Sequence, residues 1–194
     1  MDREHIREYF DNRASEWDSH NRVNPIFLEK IFDYSEIDEN SKVLDVACGT
    51  GVLTEPYMKR NVKSVTAVDI SPEMIGIAEK KYVDTDNIKF ICGDALTLEF
   101  PEKFNRIMIY NAFPHFPDPE KTVERMAELL ESGGRLTVAH GMSREKLEEH
   151  HRKVASSVSI GLPEASELKR IFDRFLKTDV CFSGDFYIVS GKKE

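Results

Sequence analysis

Apolar residues follow two rhythms along this 194-residue chain, and the rhythms alternate. Between residues 3 and 20, Ile6, Tyr9, Phe10, Arg13, Ala14 and Trp17 share one side at spacings of three and four, which predicts a helix. Asn24 and Pro25 predict a second helix start, because asparagine caps and proline is preset for the first turn. Phe27, Leu28, Ile31 and Phe32 supply its apolar face. Short apolar runs at 42–46, 64–69, 87–92, 104–110 and 135–140 predict five buried strands. Helices separate them. One runs from the turn after the first strand to about Arg60. Another opens at Ser71-Pro72-Glu73, with Ile70 and Ile75 placed for a hydrophobic staple. A third opens at Asp118-Pro119 and buries Val123, Met126, Ala127 and Leu130, with Gly133-Gly134 as its left-handed exit. Residues 143–158 predict a further helix with Leu147, His151, Val154, Ala155 and Val158 on one face, broken at Gly161-Leu162-Pro163. Leu168, Ile171, Phe172 and Phe175 mark the last helix. Runs at 177–182 and 185–190 predict a closing hairpin with Ser183-Gly184 in a two-residue turn. Strand–helix alternation of this kind predicts an α/β fold with a mostly parallel sheet. With no repeat and no linker, residues 1–194 are expected to form a single domain.

Composition narrows the function more than the fold. Hydrophobic residues at 40% and charged residues at 32% are ordinary globular values and exclude a disordered chain. Lys plus Arg is 27 against 35 for Asp plus Glu, a formal net charge of -8. That sign is opposite to the one phosphate neutralisation requires, so no nucleic-acid partner is expected. An anionic membrane surface would repel the chain as well. The longest apolar run has four residues, as in Ile107-Met108-Ile109-Tyr110, so no membrane span is expected. The charged start Met1-Asp2-Arg3-Glu4-His5 has no secretory apolar core. Cys48, Cys92 and Cys181 lack any Cys-x-x-Cys spacing and read as reduced thiols of a cytoplasmic protein, with no disulfide framework and no metal site.

The densest chemical signal is Val43-Leu44-Asp45-Val46-Ala47-Cys48-Gly49-Thr50-Gly51, a strand running into a glycine turn before a helix. Ligands of open α/β sheets bind at such turns, where glycine lets them approach the backbone. A dinucleotide fingerprint would place a third glycine where Thr54 stands. Asp45 is also an unwelcome neighbour for a diphosphate, whereas it suits a ligand carrying an ammonium or a sulfonium, such as S-adenosylmethionine.

Asp45-Val46-Ala47-Cys48-Gly49-Thr50-Gly51 resembles motif I of the class I S-adenosylmethionine-dependent methyltransferases, departing from it at Ala47, where many members have glycine. Val68-Asp69-Ile70-Ser71, Cys92-Gly93-Asp94-Ala95 and Leu130-Glu131-Ser132-Gly133-Gly134-Arg135-Leu136 match the segments that follow in that family. Tyr9-Phe10-Asp11-x-Arg13-Ala14-x-x-Trp17-Asp18 is similar to the lead-in helix of its small-molecule group, which includes quinone-biosynthesis enzymes. The resemblance covers roughly residues 5–140. It implies a Rossmann-like three-layer sandwich with a seven-stranded, mostly parallel sheet and a C-terminal antiparallel hairpin. Residues 1–40 become a helical lid, 41–141 the cofactor-binding core and 142–194 the substrate side. It implies S-adenosylmethionine as cofactor, leaving as S-adenosylhomocysteine, and transfer of its methyl group to a small-molecule nucleophile. Asp69 would hold the ribose hydroxyls and Asp94 the adenine amino group. Ala47, Cys48, Gly49, Thr50, Gly51, Ile70, Met74, Ala95 and Asn111 become cofactor neighbours, with Tyr9, Arg13 and Trp17 reaching over from the lid. A non-catalytic S-adenosylmethionine-binding regulator and an NAD-linked oxidoreductase are the alternatives.

The acceptor end is thinner in signal. After strand four, Asn111-Ala112-Phe113-Pro114-His115-Phe116 retains only the first residue of the Asp/Asn-Pro-Pro-Tyr segment usual in nucleobase amino-methyltransferases, which argues against a nucleic-acid acceptor. His115, and His140 at the end of strand five, are the candidate general bases, being titratable near neutrality. His150 and His151 are adjacent on a predicted helix and diverge, the first toward solvent and the second toward the core, so they form no metal pair.

Overall fold

The computed structural model describes residues 2–20, 23–155 and 157–194. Among them, seven strands form one sheet: β1 (Lys42–Val46), β2 (Ser64–Asp69), β3 (Ile88–Cys92), β4 (Phe104–Tyr110), β5 (Leu130–His140), β6 (Lys177–Ser183) and β7 (Tyr187–Lys192). Their order is β3-β2-β1-β4-β5-β7-β6. The first five run parallel, and β7 inserts antiparallel between β5 and β6. The chain winds outward through β1, β2 and β3, then crosses to β4 on the other side of β1. That reversal opens a crevice at the carboxyl ends of β1 and β4, where ligands bind in such sheets.

Two apolar layers cover the sheet. On one face Leu44, Val46, Ile107 and Ile109 pack against helix α6 (Pro119–Leu129) and helix α8 (Ala165–Phe172) through Val123, Met126, Leu168 and Phe172. On the other face Val43, Val65 and Met108 meet helix α3 (Pro25–Tyr34) and helix α4 (Thr54–Lys59) through Leu28, Ile31, Phe32 and Tyr57. Helix α5 (Pro72–Lys81) buries Met74, Ile75 and Ala78. Strand period two puts Asp45 on the second face, two residues after Val43. The predicted caps form: Asn24 accepts from the Ile26 amide, Ser71 from Met74 and Asp118 from Lys121, each before a first-turn proline.

Four expectations change. The stretch 3–20 is not one helix: α1 (Arg3–Asp11) stops, a 3-10 turn spans Ala14–Glu16, and α2 (Trp17–His20) follows. Tertiary bonds override the period there, because Asp11 accepts from Ser71 Oγ and Asp18 from Thr50 Oγ1, each at 2.5 Å. Gly133-Gly134 does not cap α6, which ends at Leu129 with Leu130 already extended and paired to Phe104. The two glycines let β5 bend past the chain end, where Gly133 donates to Lys193 O and Lys193 donates to Gly134 O, both at 2.8 Å. The helix expected over 143–158 is α7 (Arg144–Val154), and the side chains of His150, His151 and Val154 lie outside the described residues. The hairpin turn has three residues, since Ser183 still pairs with Tyr187 and Gly184 donates to Phe186 O at 3.0 Å.

The end of the sheet away from the crevice is closed by charge. Arg135 is fully buried and makes two 2.7 Å bonds to Asp179, one per carboxylate oxygen, while its Nη2 also reaches Glu36 at 3.1 Å. Asp179→Ala leaves that guanidinium short of a partner in a dry site. We expect it to destabilise the protein by about 1.5–3 kcal/mol, the range for hydrogen bonds to charged groups. The urea midpoint measures this, and an unchanged midpoint contradicts it.

Candidate active site

A cavity of about 570 Å³ opens at the β1/β4 crevice. Its floor is the turn after β1. Three alternate positions in the left-handed region shape that turn: Ala47 at φ 58°, Gly49 at φ 56° and Gly51 at φ 79°. Ala47 holds the left-handed conformation at a cost of roughly 1–2 kcal/mol that glycine would avoid, which accounts for glycine's use at the equivalent place in similar sequences. At Gly51 a side chain would strike Tyr82 and Thr54 within 3.0 Å, so glycine is required by packing.

Carboxyl groups line up along the strand ends. Asp69, at the end of β2, accepts from the Gly49 amide at 2.8 Å through one oxygen and from the Ser71 amide at 2.9 Å through the other. It thereby fixes the glycine turn to the start of α5 and keeps lone pairs for a ligand. Burial pushes its pKa up to about 6, with Asp11 adding to the shift. Asp45, at the end of β1, is 2% exposed, and among the described residues its Oδ2 has no hydrogen-bond partner. Burial pushes this carboxyl up to about 8, with Asp69 adding to the shift. Asp94, after β3, accepts from the Leu96 amide at 2.9 Å and pairs with Arg3 at the start of α1.

The N-terminal segment covers this floor and touches the loop after each of the three strands. Arg3 holds Asp94, Asp11 holds Ser71, and Asp18 holds both Thr50 and Lys81, the latter at 2.8 Å. Trp17 places its indole nitrogen 3.5 Å from where a Cβ on Gly49 would stand. Phe10 meets both Trp17 and His115 edge-on, with centroids 5.5 and 5.0 Å away.

On the β4 side Asn111 adopts φ 55° and accepts from the Gly141 amide at 2.9 Å, tying the ends of β4 and β5 together. His115 lines the cavity, and its Nδ1 lies 2.7 Å from Val158 O. A carbonyl only accepts, so Nδ1 carries the proton and Nε2 is the basic nitrogen of the neutral ring. Burial lowers the His115 pKa, which favours the neutral ring.

Residues 43–134, the span that contains the turn and all three strand-end acids, match the family model described as a methyltransferase domain. Over that span the chain is similar to methyltransferases. It is 30% identical over 137 residues to the malonyl-(acyl-carrier protein) O-methyltransferase of Acetivibrio thermocellus, covering 69% of this chain and 48% of that protein. It is 33% identical over 132 residues to a ubiquinone biosynthesis O-methyltransferase of Xylella fastidiosa, covering 63% and 53%. The chain thus spans about half the length of the curated relatives it matches. In fold it is similar to the N-methyltransferase NodS of Bradyrhizobium japonicum solved with S-adenosylhomocysteine (TM-score 0.72, 16% identity, 96% of this chain and 97% of that one). It is equally similar to an S-adenosylmethionine-dependent methyltransferase of Thermotoga maritima (TM-score 0.72, 19% identity, both chains fully covered).

The cavity gathers most of the positions expected from the sequence. Tyr9, Arg13, Trp17, Asp45, Ala47, Cys48, Gly49, Asp69, Ile70, Met74, Asp94, Ala95, Asn111 and His115 all line the cavity. Thr50 and Gly51 do not: they stand behind the floor, one holding Asp18 and the other packed on Tyr82. His140 does not reach the cavity either. It is fully buried, its ring edge-on to Tyr187 at 6.1 Å, because its register in β5 places it opposite β7. Arg3, Glu16, Tyr110, Met142, Leu147 and Ala155 line the cavity without having been expected there. Glu16 lies within the Tyr9–Asp18 motif and Arg3 six residues before it, which was the available signal, whereas Met142, Leu147 and Ala155 arrive only by the packing of α7 and its flanks.

Proposed function

We propose that the protein transfers a methyl group from S-adenosylmethionine to a small-molecule nucleophile. The observation that carries this reading is the row of carboxyl groups at the ends of β1, β2 and β3 around a glycine turn, opening into one covered cavity. The donor set fits the cosubstrate. Asp45 offers an unfilled buried acceptor to a cation, Asp69 has lone pairs for the ribose diol, and Asp94 sits at the third strand end for the adenine amine. A diphosphate would be repelled by these same acids at the strand ends, which argues against the oxidoreductase alternative.

When bound, S-adenosylmethionine supplies an electrophilic methyl group on a sulfonium. The protein's task is then positioning and exclusion of water. Asp69 and the Gly49 turn hold the adenosyl end against the floor. Trp17 and Phe10 close the lid, and Phe10 and Phe116 give the acceptor end an apolar wall. His115, neutral and with its basic Nε2 fixed by the Val158 bond, accepts the proton of an acidic acceptor as the new bond forms. His140 serves packing instead. Removing His115 should lower turnover by roughly 10²–10⁴-fold, the range for a general base, with S-adenosylhomocysteine affinity retained. Removing His140 should lower the melting temperature and spare turnover per folded molecule. Equal turnover in His115→Ala and the parent contradicts the assignment.

The acidic balance and the broken Asn111-Ala112-Phe113 segment support a small acceptor over a nucleic acid. We read the chain as one functional domain, with 1–40 as lid, 41–141 as core and 142–194 on the acceptor side. Among the described residues no helix is long and apolar enough to cross a membrane. The three free cysteines support a reducing, cytoplasmic setting. Titration calorimetry with S-adenosylhomocysteine, followed by methyl transfer to fractionated metabolite pools, tests the reading. No heat of binding rejects it, and binding without transfer to any pool favours the non-catalytic regulator.

A further inference from the structure

Charge is spread unevenly around the cavity. Asp45, Asp69 and Asp94 stand at the ends of β1, β2 and β3, and Arg3 is paired with Asp94. Arg13 and Glu16 open and close the 3-10 turn that leads into Trp17, which stands over Gly49. These charged lining residues gather on the flank proposed for the cosubstrate. The acceptor flank is built differently. Ile6, Phe10, Met142, Leu147 and Ala155 line it. They come from two apolar clusters: Met142 and Leu147 belong to the layer packed on α6 and α8, while Ile6, Phe10 and Ala155 form a separate cluster with Val158. Among the described residues, this flank adds no charged side chain to the lining.

His115 sits where the two clusters meet. Its Nδ1 is 2.7 Å from Val158 O, the Ile160 amide donates to Pro114 O at 2.9 Å, and the Phe10 ring meets the imidazole edge-on with centroids 5.0 Å apart. Burial lowers the His115 pKa, which makes the ring a weak base. Tyr110, at the end of β4, is pushed up to about 12 by burial and keeps its proton. A carboxylate or an ammonium entering this flank would lose its water and meet no opposite charge. A weak base also takes only a loosely held proton. A phenol such as the tyrosine side chain gives up its proton near about 10, whereas an aliphatic alcohol holds its own far more tightly. We propose that the acceptor is an uncharged aromatic hydroxyl compound, its ring seated among Phe10, Met142 and Leu147 and its O–H directed at His115 Nε2. Resting on the methyl-transfer reading, the inference names that reaction's substrate class. The phenol oxygen forms the new bond to the methyl carbon, the C–S bond breaks with its electron pair left on sulfur, and the phenol proton passes to Nε2.

Thermal shifts on the full chain saturated with S-adenosylhomocysteine test the seat. Phenol should raise the melting temperature, and benzoate and benzylamine at equal concentration should not. Leu147→Ala removes part of the wall and should weaken phenol about 10-fold while S-adenosylhomocysteine affinity is retained. Its ligand-free melting curve checks folding, and Met142→Ala, at a half-buried position, serves as the second wall variant. Chemistry is read with S-adenosylmethionine as donor. Methyl transfer to phenol should exceed transfer to cyclohexanol, a similar shape with a tightly held proton, by about 10²-fold or more. Any one of four results overturns the proposal: no shift by phenol, shifts by benzoate or benzylamine that match it, phenol affinity unchanged in both wall variants, or equal transfer to the two alcohols. If the parent protein binds no S-adenosylhomocysteine at all, the methyl-transfer reading itself fails and takes the proposal with it, a result distinct from a saturated protein that ignores phenol.

Discussion

Asp69→Ala should weaken S-adenosylhomocysteine binding by about 1.5–3 kcal/mol, roughly one to two decades in Kd, as expected for hydrogen bonds to a charged group. Two effects act in the same direction. The variant removes the acceptor proposed for the ribose diol. It also frees the Gly49 and Ser71 amides, now held at 2.8 and 2.9 Å by the two carboxylate oxygens. The turn after β1 is then no longer tied to the start of α5, so the floor loses its preset shape before any ligand arrives. Asp69→Asn separates the contributions. Its amide oxygen can hold one of the two backbone N–H groups, so it should recover part of the affinity. Calorimetry showing parent-like affinity in Asp69→Ala rejects the ribose assignment.

Cosubstrate affinity should climb with pH and level off near pH 8. Asp45 is buried, faces Asp69, Cys48 and Tyr57, and is held at about 8 against an ordinary 3.8. Without ligand it therefore keeps its proton at neutrality. A cation placed beside it favours the carboxylate, so binding expels up to one proton, and affinity rises up to tenfold per pH unit below the ligand-free value. For stability the sign is opposite. Between about pH 4 and 8 the folded protein holds a proton that the unfolded chain has released, so the ligand-free protein loses stability as pH rises. The slope reaches about 1.4 kcal/mol per unit. Asp69 adds the same trend up to about pH 6. Asp45→Asn should flatten both dependences across pH 6–8. Calorimetry in buffers of different ionisation heat counts the released proton directly, and a count of zero contradicts the mechanism.

The floor of the site was legible because its chemistry is local. A strand ending in an acid, a turn that needs left-handed residues and a helix start all leave marks within a few positions, as at Asp45–Gly51 and Val68–Ser71. The lid motif was legible as residue types but misread as continuous structure. Helical spacing from Ile6 to Trp17 satisfies a single helix, yet Asp11 and Asp18 find better partners in Ser71 and Thr50 and break it. His115 and His140 were indistinguishable in sequence, each a histidine near the end of a strand. Only the placement of β7 beside β5 buries one against Tyr187, while the other faces the cavity.

By itself, then, the sequence determined the α/β alternation, the acid-and-glycine floor and the class of ligand, because periodicity, capping and turn geometry act over a few neighbouring residues. The tertiary structure decided the strand order β5-β7-β6, the break in the N-terminal helix and the choice between the histidines. Each of those depends on which distant groups meet. Desolvation and pairing set their energies, and neither is fixed until the chain has packed.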